Sequence, residues 1–151
     1  MLISLFLVCA VHAASSESAL IRTFDKAKST YAKFSKNTMK YRAEVEDYNE
    51  NEFEPAVESM IGLLSDKKCG KCMPSYLKGL SYLEGSASEV LTDQLKRIIS
   101  KHPEVLSAGC GKVDAVTRKK LSVRFSDAIT FLSQNNKVER GGIEKSVIGC
   151  I

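Results

Sequence analysis

The residues with the widest chemical scope in this chain are its cysteines. Cys69 and Cys72 stand in a Cys-Gly-Lys-Cys run, Cys110 and Cys150 follow at long intervals, and Cys9 lies near the start. Two thiols three positions apart can close on each other, ligate a soft metal ion, or each bond a more distant cysteine. The remaining catalytic inventory is thin. Beyond residue 13 the chain has a single histidine, His102, set directly before Pro103 without a Gly-x-Ser-x-Gly elbow or other nucleophile context. A histidine there is expected to cap the last carbonyls of a helix. Glu44 and Glu46, two apart on a predicted helix, face different ways and read as surface. No Gly-x-Gly-x-x-Gly or Walker phosphate loop occurs. One histidine is too few for a catalytic zinc site, and a four-cysteine site lacks its second Cys-x-x-Cys. These residues predict a protein that is not an enzyme, with no catalytic residue, no cofactor and no metal.

The Cys69–Cys72 run resembles the redox centre of the thioredoxin family, which implies a reactive thiolate at the start of a helix. That family sets its motif after a strand, whereas the surroundings here read as helical. Cys69, Cys72, Cys110 and Cys150 are therefore read as disulfide-forming, four cysteines giving two bridges. Three pairings are open. The expectation is that Cys69 and Cys72 each reach one of Cys110 and Cys150, tying the C-terminal half together. The stretch from Cys69 to Cys150 also resembles the saposin-like proteins, in a Cys-x-x-Cys opening a helix, several amphipathic helices and a closing cysteine. That resemblance implies lipid binding, although the six-cysteine pattern of the family is not met.

The elements that must position these residues are helical throughout. From Leu20 the apolar positions run Phe24, Ala27, Tyr31, Phe34, Thr38, Tyr41, Val45 and Tyr48 in alternating steps of four and three, a stripe that only a helix brings to one side. No Gly or Pro interrupts it, so one long helix is predicted from Glu17 to Tyr48, capped by Ser15, Ser16 or Ser18. Asn49 to Phe53 breaks the pattern. Pro55 opens a second helix burying Val57, Met60, Ile61 and Leu64. Pro74 opens a third, with Tyr76, Leu77, Leu80 and Leu83 inward, stopped at Gly85. Ser86 and Glu89 form a capping box for a fourth, burying Val90, Leu91, Leu95, Ile98 and Ile99. A turn after Pro103 leads to a fifth helix marked by Val113, Val116, Leu121, Phe125, Ala128, Ile129 and Leu132. A short last helix with Ile143, Val147 and Ile148 delivers Cys150. The fold class expected is all-α: a bundle of five to six helices clamped by two disulfides, with residues 1–13 a secretory signal and 14–151 a single helical domain.

The signal reading rests on the apolar run from Met1 and the small residues Val11 and Ala13. No later segment reaches the roughly 20 apolar residues of a membrane span, and no Asn-x-Ser/Thr sequon occurs. The chain is thus expected outside the cell, where disulfides persist. Its 22 Lys and Arg against 18 Asp and Glu give a formal net charge of +4, too mild for a nucleic-acid binder. The charge is unevenly placed. Arg22, Lys26, Lys28, Lys33, Lys36, Lys40 and Arg42 face one acid, Asp25; Glu44 to Asp66 then carries only acids. A basic face centred on Lys33, Lys36 and Lys40 is the candidate binding surface. The function expected is a secreted, non-enzymatic binding protein, an extracellular effector or inhibitor acting on a protein partner. The alternative is a lipid-surface protein or a carrier of a small apolar ligand, with Phe24, Tyr31, Phe34, Tyr41 and Tyr48 lining a cavity of roughly 300 Å³ or more.

Overall fold

Helix α1, Glu17–Lys36, begins where Ser16 caps it, the serine hydroxyl accepting from the Ala19 N–H at 3.3 Å. The structure, a computed structural model, describes residues 16–66, 68–83, 88–135, 144, 147, 149 and 150. The segment 1–13, the stop at Gly85, the Ser86–Glu89 box, the Val90 side chain, Ile143 and Ile148 lie outside the residues or side chains described.

The predicted long helix is two helices. It stops at Asn37, whose backbone is extended, with φ −156° and ψ 92°. Asn37 serves both sides of the break: its N–H donates to the Lys33 carbonyl at 3.2 Å, and its side-chain oxygen accepts from the Lys40 N–H at 3.0 Å, capping α2, Thr38–Tyr48. The chain then runs back along α1. Residue 33 meets 44, 31 meets 49 and 26 meets 52, one index falling as the other rises, which is the mark of an antiparallel hairpin. The aromatic stripe is folded upon itself: Leu20, Phe24, Ala27 and Tyr31 are buried on one arm, Val45 and Tyr48 on the other, and Thr38 is exposed at the turn.

Asn49 to Phe53 does not break the helix but forms a π-helical turn joining α2 to α3, Glu54–Ser65, so residues 38 to 65 make one rod. Within the turn the Glu54 N–H reaches back five residues to the Asn49 carbonyl. Pro55 has no N–H to continue an α-helical ladder and its ring crowds the carbonyl four residues back, and the wider turn accommodates both. The turn also aims Asn49 and Phe53 inward, in register with Ala56, Val57, Met60, Ile61 and Leu64.

Phe53 lies at the centre of the core. Its ring stands 5.4 Å from Phe24 and 5.9 Å from Tyr48, and Phe24 stands 5.6 Å from Tyr76, all edge-on. Tyr76 comes from α4, Cys72–Leu80, which packs along α1. Gly79 permits that approach, because a Cβ there would sit 2.9 Å from the Phe53 ring and 3.0 Å from the Phe24 carbonyl.

Helix α5, Ser88–Lys101, buries Leu91, Leu95, Ile98 and Ile99 as its periodicity predicts. Pro103 does not introduce a turn but starts an eight-residue helix, α6, Pro103–Cys110, as suits a residue with fixed φ and no N–H at a first helical position. Helix α6 lies so close to α4 that a Cβ on Gly109 would fall 2.3 Å from Met73 Cγ. Helix α7, Ala115–Asn135, packs on α5 and α4 through Leu121, Phe125, Ala128, Ile129 and Leu132. Val116, expected inside, is 66% exposed: the inward position of that turn is taken by Thr117, bonded to the capping Asp114. The result is an all-α bundle: α1, the 38–65 rod, α4, α5, α6 and α7 form six helical bodies with no strand among the described residues, held by two disulfides.

Candidate functional site

The hairpin changes what the basic run is. Lys33 is not a free cation, because its Nζ lies 2.7 Å from Glu44 Oε1 on the returning arm, and that bond holds the ammonium above its ordinary pKa. Lys26 pairs likewise with Glu52, and Arg42 with Glu46 one turn along α2. The acidic run after Glu44 faces part of the basic run before it. Of the three candidate lysines, Lys36 and Lys40 remain without an ion pair among the described residues, one on each side of Asn37 at the hairpin tip. The Lys40 ammonium rests 5.2 Å from the Tyr41 ring centre.

Between them stands Met39, 87% exposed, which the sequence reading passed over because it lies off the aromatic stripe. Thr38 is the one polar position on that stripe, and it does not by itself point to Met39. Asn37 brings Lys36, Met39 and Lys40 together at one apex.

Of the aromatic positions proposed to line a cavity, Phe24, Tyr31 and Tyr48 are buried in the core, Phe34 is partly buried against it, and Tyr41 is partly exposed. Phe24 and Tyr48 are buried in the Phe53 cluster, and burial raises the pKa of the Tyr48 and Tyr76 hydroxyls well above the usual tyrosine value. Tyr48 donates to the Thr23 carbonyl at 2.8 Å and Tyr31 bonds the Asn49 amide, so both polar ends are satisfied inside the hairpin. A surface cleft of about 360 Å³ beside Phe24 is edged by Asp25, Lys28, Lys78 and Asp114, and another of about 260 Å³ by Thr23, Glu52 and Pro55. Neither is lined by Tyr31, Phe34, Tyr41 or Tyr48.

The cysteines form two bridges in a pairing other than the one expected. Cys69 bonds Cys72 within the short motif, and Cys110 bonds Cys150 across a separation of 40 residues. The local bridge is made possible by Cys69 itself, which adopts φ 71°, a left-handed conformation that turns the chain back over Gly70 and brings the two Cα atoms to 5.2 Å. Glu17 lies against this loop, its carboxylate accepting the Lys71 N–H at 3.0 Å, while Cys72 Sγ sits 3.9 Å from the Glu17 carbonyl oxygen. Cys69 and Cys72 are buried. A partner disulfide has no open path to them, which removes the geometry that the thioredoxin-like reading needs.

His102 does not cap the end of α5. It stands at the start of α6 with no side-chain cap bond, its Nε2 enclosed and without a hydrogen-bond partner among the described residues. Among the described residues no helix is long and apolar enough to cross a membrane. Comparison with protein-family models, with curated proteins and with solved structures finds no match for this chain.

Proposed function

We propose that this chain is a secreted, non-enzymatic binding protein, an effector or inhibitor that engages an acidic patch on a protein partner through the tip of its N-terminal hairpin. The observation that carries the reading is the division of the basic run. Lys26, Lys33 and Arg42 are paired within the hairpin; of the cations of that run without an ion pair among the described residues, Arg22, Lys28, Lys36 and Lys40, the last two flank an exposed methionine. Two unpaired cations around an apolar side chain suit a partner offering carboxylates around a small apolar socket, with the cations steering encounter and the buried methionine slowing release. The bridges suit an oxidising compartment, as does the apolar leader of residues 1–13.

The test is site-specific photo-crosslinking in the fluid that contains the natural protein. A benzophenone side chain at position 39 is compared with one at Ser100, exposed on α5. A saturable product specific to position 39, mapping to an acid-rich segment of one protein and lost in K36E/K40E, supports the reading. Identical labelling from both positions, or a product indifferent to K36E/K40E, sinks it. Capture of anionic phospholipid vesicles in place of a protein moves the reading to the lipid-surface alternative.

A further inference from the structure

We infer that the outward face of α7 is a self-association surface, on which a second copy of this chain packs antiparallel about a two-fold axis beside Val123. The helix is apolar on two sides. Leu121, Phe125, Ala128, Ile129 and Leu132 are buried, yet Val116 is 66%, Val123 65% and Phe131 47% exposed. Only Met39 joins them as an exposed large apolar side chain among the described residues, so this exposure is concentrated on one helix. Steps of seven and eight residues are close to two helical turns each, which sets the three side chains along one outward stripe about 22 Å long. Single apolar residues scattered over a surface are ordinary, whereas a stripe on one helix marks a contact.

The stripe is complementary to its own reverse. Val116 lies seven residues before Val123 and Phe131 eight after it, so a two-fold axis between residues 123 and 124 sets Val123 beside its counterpart. Each Val116 then lies level with the Phe131 of the other copy. The same register brings opposite charges together. Lys120 and Asp127 stand about one turn to either side of Val123, both exposed and neither in an ion pair among the described residues. In the antiparallel arrangement each Lys120 meets the Asp127 of the other copy, and symmetry supplies that pair twice. Parallel packing in register would set Lys120 on Lys120 and Asp127 on Asp127, which repels. Charge therefore fixes the direction of the pairing.

Two contacts within the single chain steady this face. The Lys96 ammonium of α5 lies 3.5 Å from the Phe131 ring centre, and the Lys120 ammonium lies 5.2 Å from that of Tyr82. Thr130 and Gln134 continue the stripe with uncharged polar groups, and Lys119 falls at its edge, in solvent. A second copy is the occupant that this order of side chains specifies. An anionic membrane would be repelled by Asp127, whereas the reversed helix answers every position of the stripe. Two helices crossing over about four turns form a contact smaller than a standard permanent interface, so the dimer is weak and concentration-dependent.

The experiment is sedimentation of the full disulfide-bonded chain at rising concentration, from about 5 to about 500 µM. The expected result is a mass that climbs from one chain toward two. V123E, which places two carboxylates together at the two-fold axis, weakens association about tenfold or more. Its helical circular dichroism and unfolding midpoint stay as they were, because position 123 is exposed. K120D and D127K each weaken the dimer severalfold, and K120D/D127K together restore it, since the reversed pair attracts again. A monomer mass throughout, association that V123E leaves unchanged, or a double reversal no stronger than the single ones each overturn the proposal. A chain that stays monomeric but is carried down by anionic phospholipid vesicles overturns it too, and gives the face to a membrane.

Discussion

The N-terminal hairpin and the C-terminal half of this bundle solve the same problem with different means. In the hairpin, residues 16 to 65, no covalent link joins the arms: they are held by the Phe24–Phe53–Tyr48 cluster, the buried Tyr31–Asn49 bond and the Lys26 and Lys33 ion pairs. From α6 onward the end of the chain is tied back by Cys110–Cys150, both sulfurs buried, while α7 contributes its apolar face. The difference teaches where each region is vulnerable. The hairpin depends on packing and breaks by mutation of one ring; the C-terminal half depends on a bond and breaks by reduction.

The largest loss of stability is expected from Phe53→Ala. The ring is 0% exposed and touches Phe24, Tyr48 and Tyr76, and loss of such a ring costs about 3 to 5 kcal/mol. Urea unfolding should show that loss as a lower midpoint at unchanged slope. A loss under about 1 kcal/mol would mean that the hairpin is not organised around this residue.

The two bridges sharpen the contrast from the other side. In the chain-entropy view, a loop closed at a separation of 40 stabilises by about 4 kcal/mol and one closed at a separation of 3 by about 2 kcal/mol. Removing Cys110 and Cys150 together should therefore cost about twice what removing Cys69 and Cys72 costs. Hydrogen exchange should rise in α6 and α7 in the first variant while the hairpin keeps its protection. Equal costs, or exchange spread evenly over the chain, would erase the division between the halves.

Much of this architecture is legible in the sequence, and the parts that are not share a cause. The apolar faces of residues 54–65, 72–80 and 115–132 are set by neighbours three and four apart, and sequence periodicity reports those directly. The aromatic stripe of residues 20–48 is equally regular, but a stripe does not say whether it meets another helix or its own continuation. The turn at Asn37 uses neither Gly nor Pro. Its clue was electrostatic: bases early and acids late run against the macrodipole of one helix, whereas in two helices Lys33 and Lys36 fall in the last turn of α1, where cations belong. The disulfide pairing rests on the backbone angle of Cys69, which spacing does not encode. Met39 is visible as part of the tip only after the turn is known.

A smaller effect tests the polar seam of the hairpin. Asn49 is 7% exposed and its amide both donates to and accepts from the Tyr31 hydroxyl. Asn49→Ala removes both bonds and should cost about 1 to 3 kcal/mol by denaturant unfolding. A neutral result would show that the arms are held without this bond, by the rings and the two ion pairs.

The smallest effects are those of pH, and they carry opposite signs on one helix. Glu58 of α3 accepts two bonds from Arg97, at 2.6 and 2.8 Å, and one from Gln94, linking the rod to α5; Arg97 holds its pKa below the ordinary 4.5. The folded protein therefore binds that proton less readily than the unfolded chain. Its stabilisation is complete above 4.5 and is lost as pH falls through the lower folded value. Glu54, one turn earlier, is raised above 4.5 by burial and by Glu50, so its ionisation opposes folding as pH rises from 4.5 through the folded value. Both side chains are substantially solvated, so each effect stays below about 1 kcal/mol. At neutral pH, Glu58→Gln should lower stability and Glu54→Gln should raise it, and both differences should shrink toward acid. No loss of stability in Glu58→Gln at neutral pH would show that the link between the rod and α5 is packing alone, with no charged component to set it apart from the bridged end of the chain.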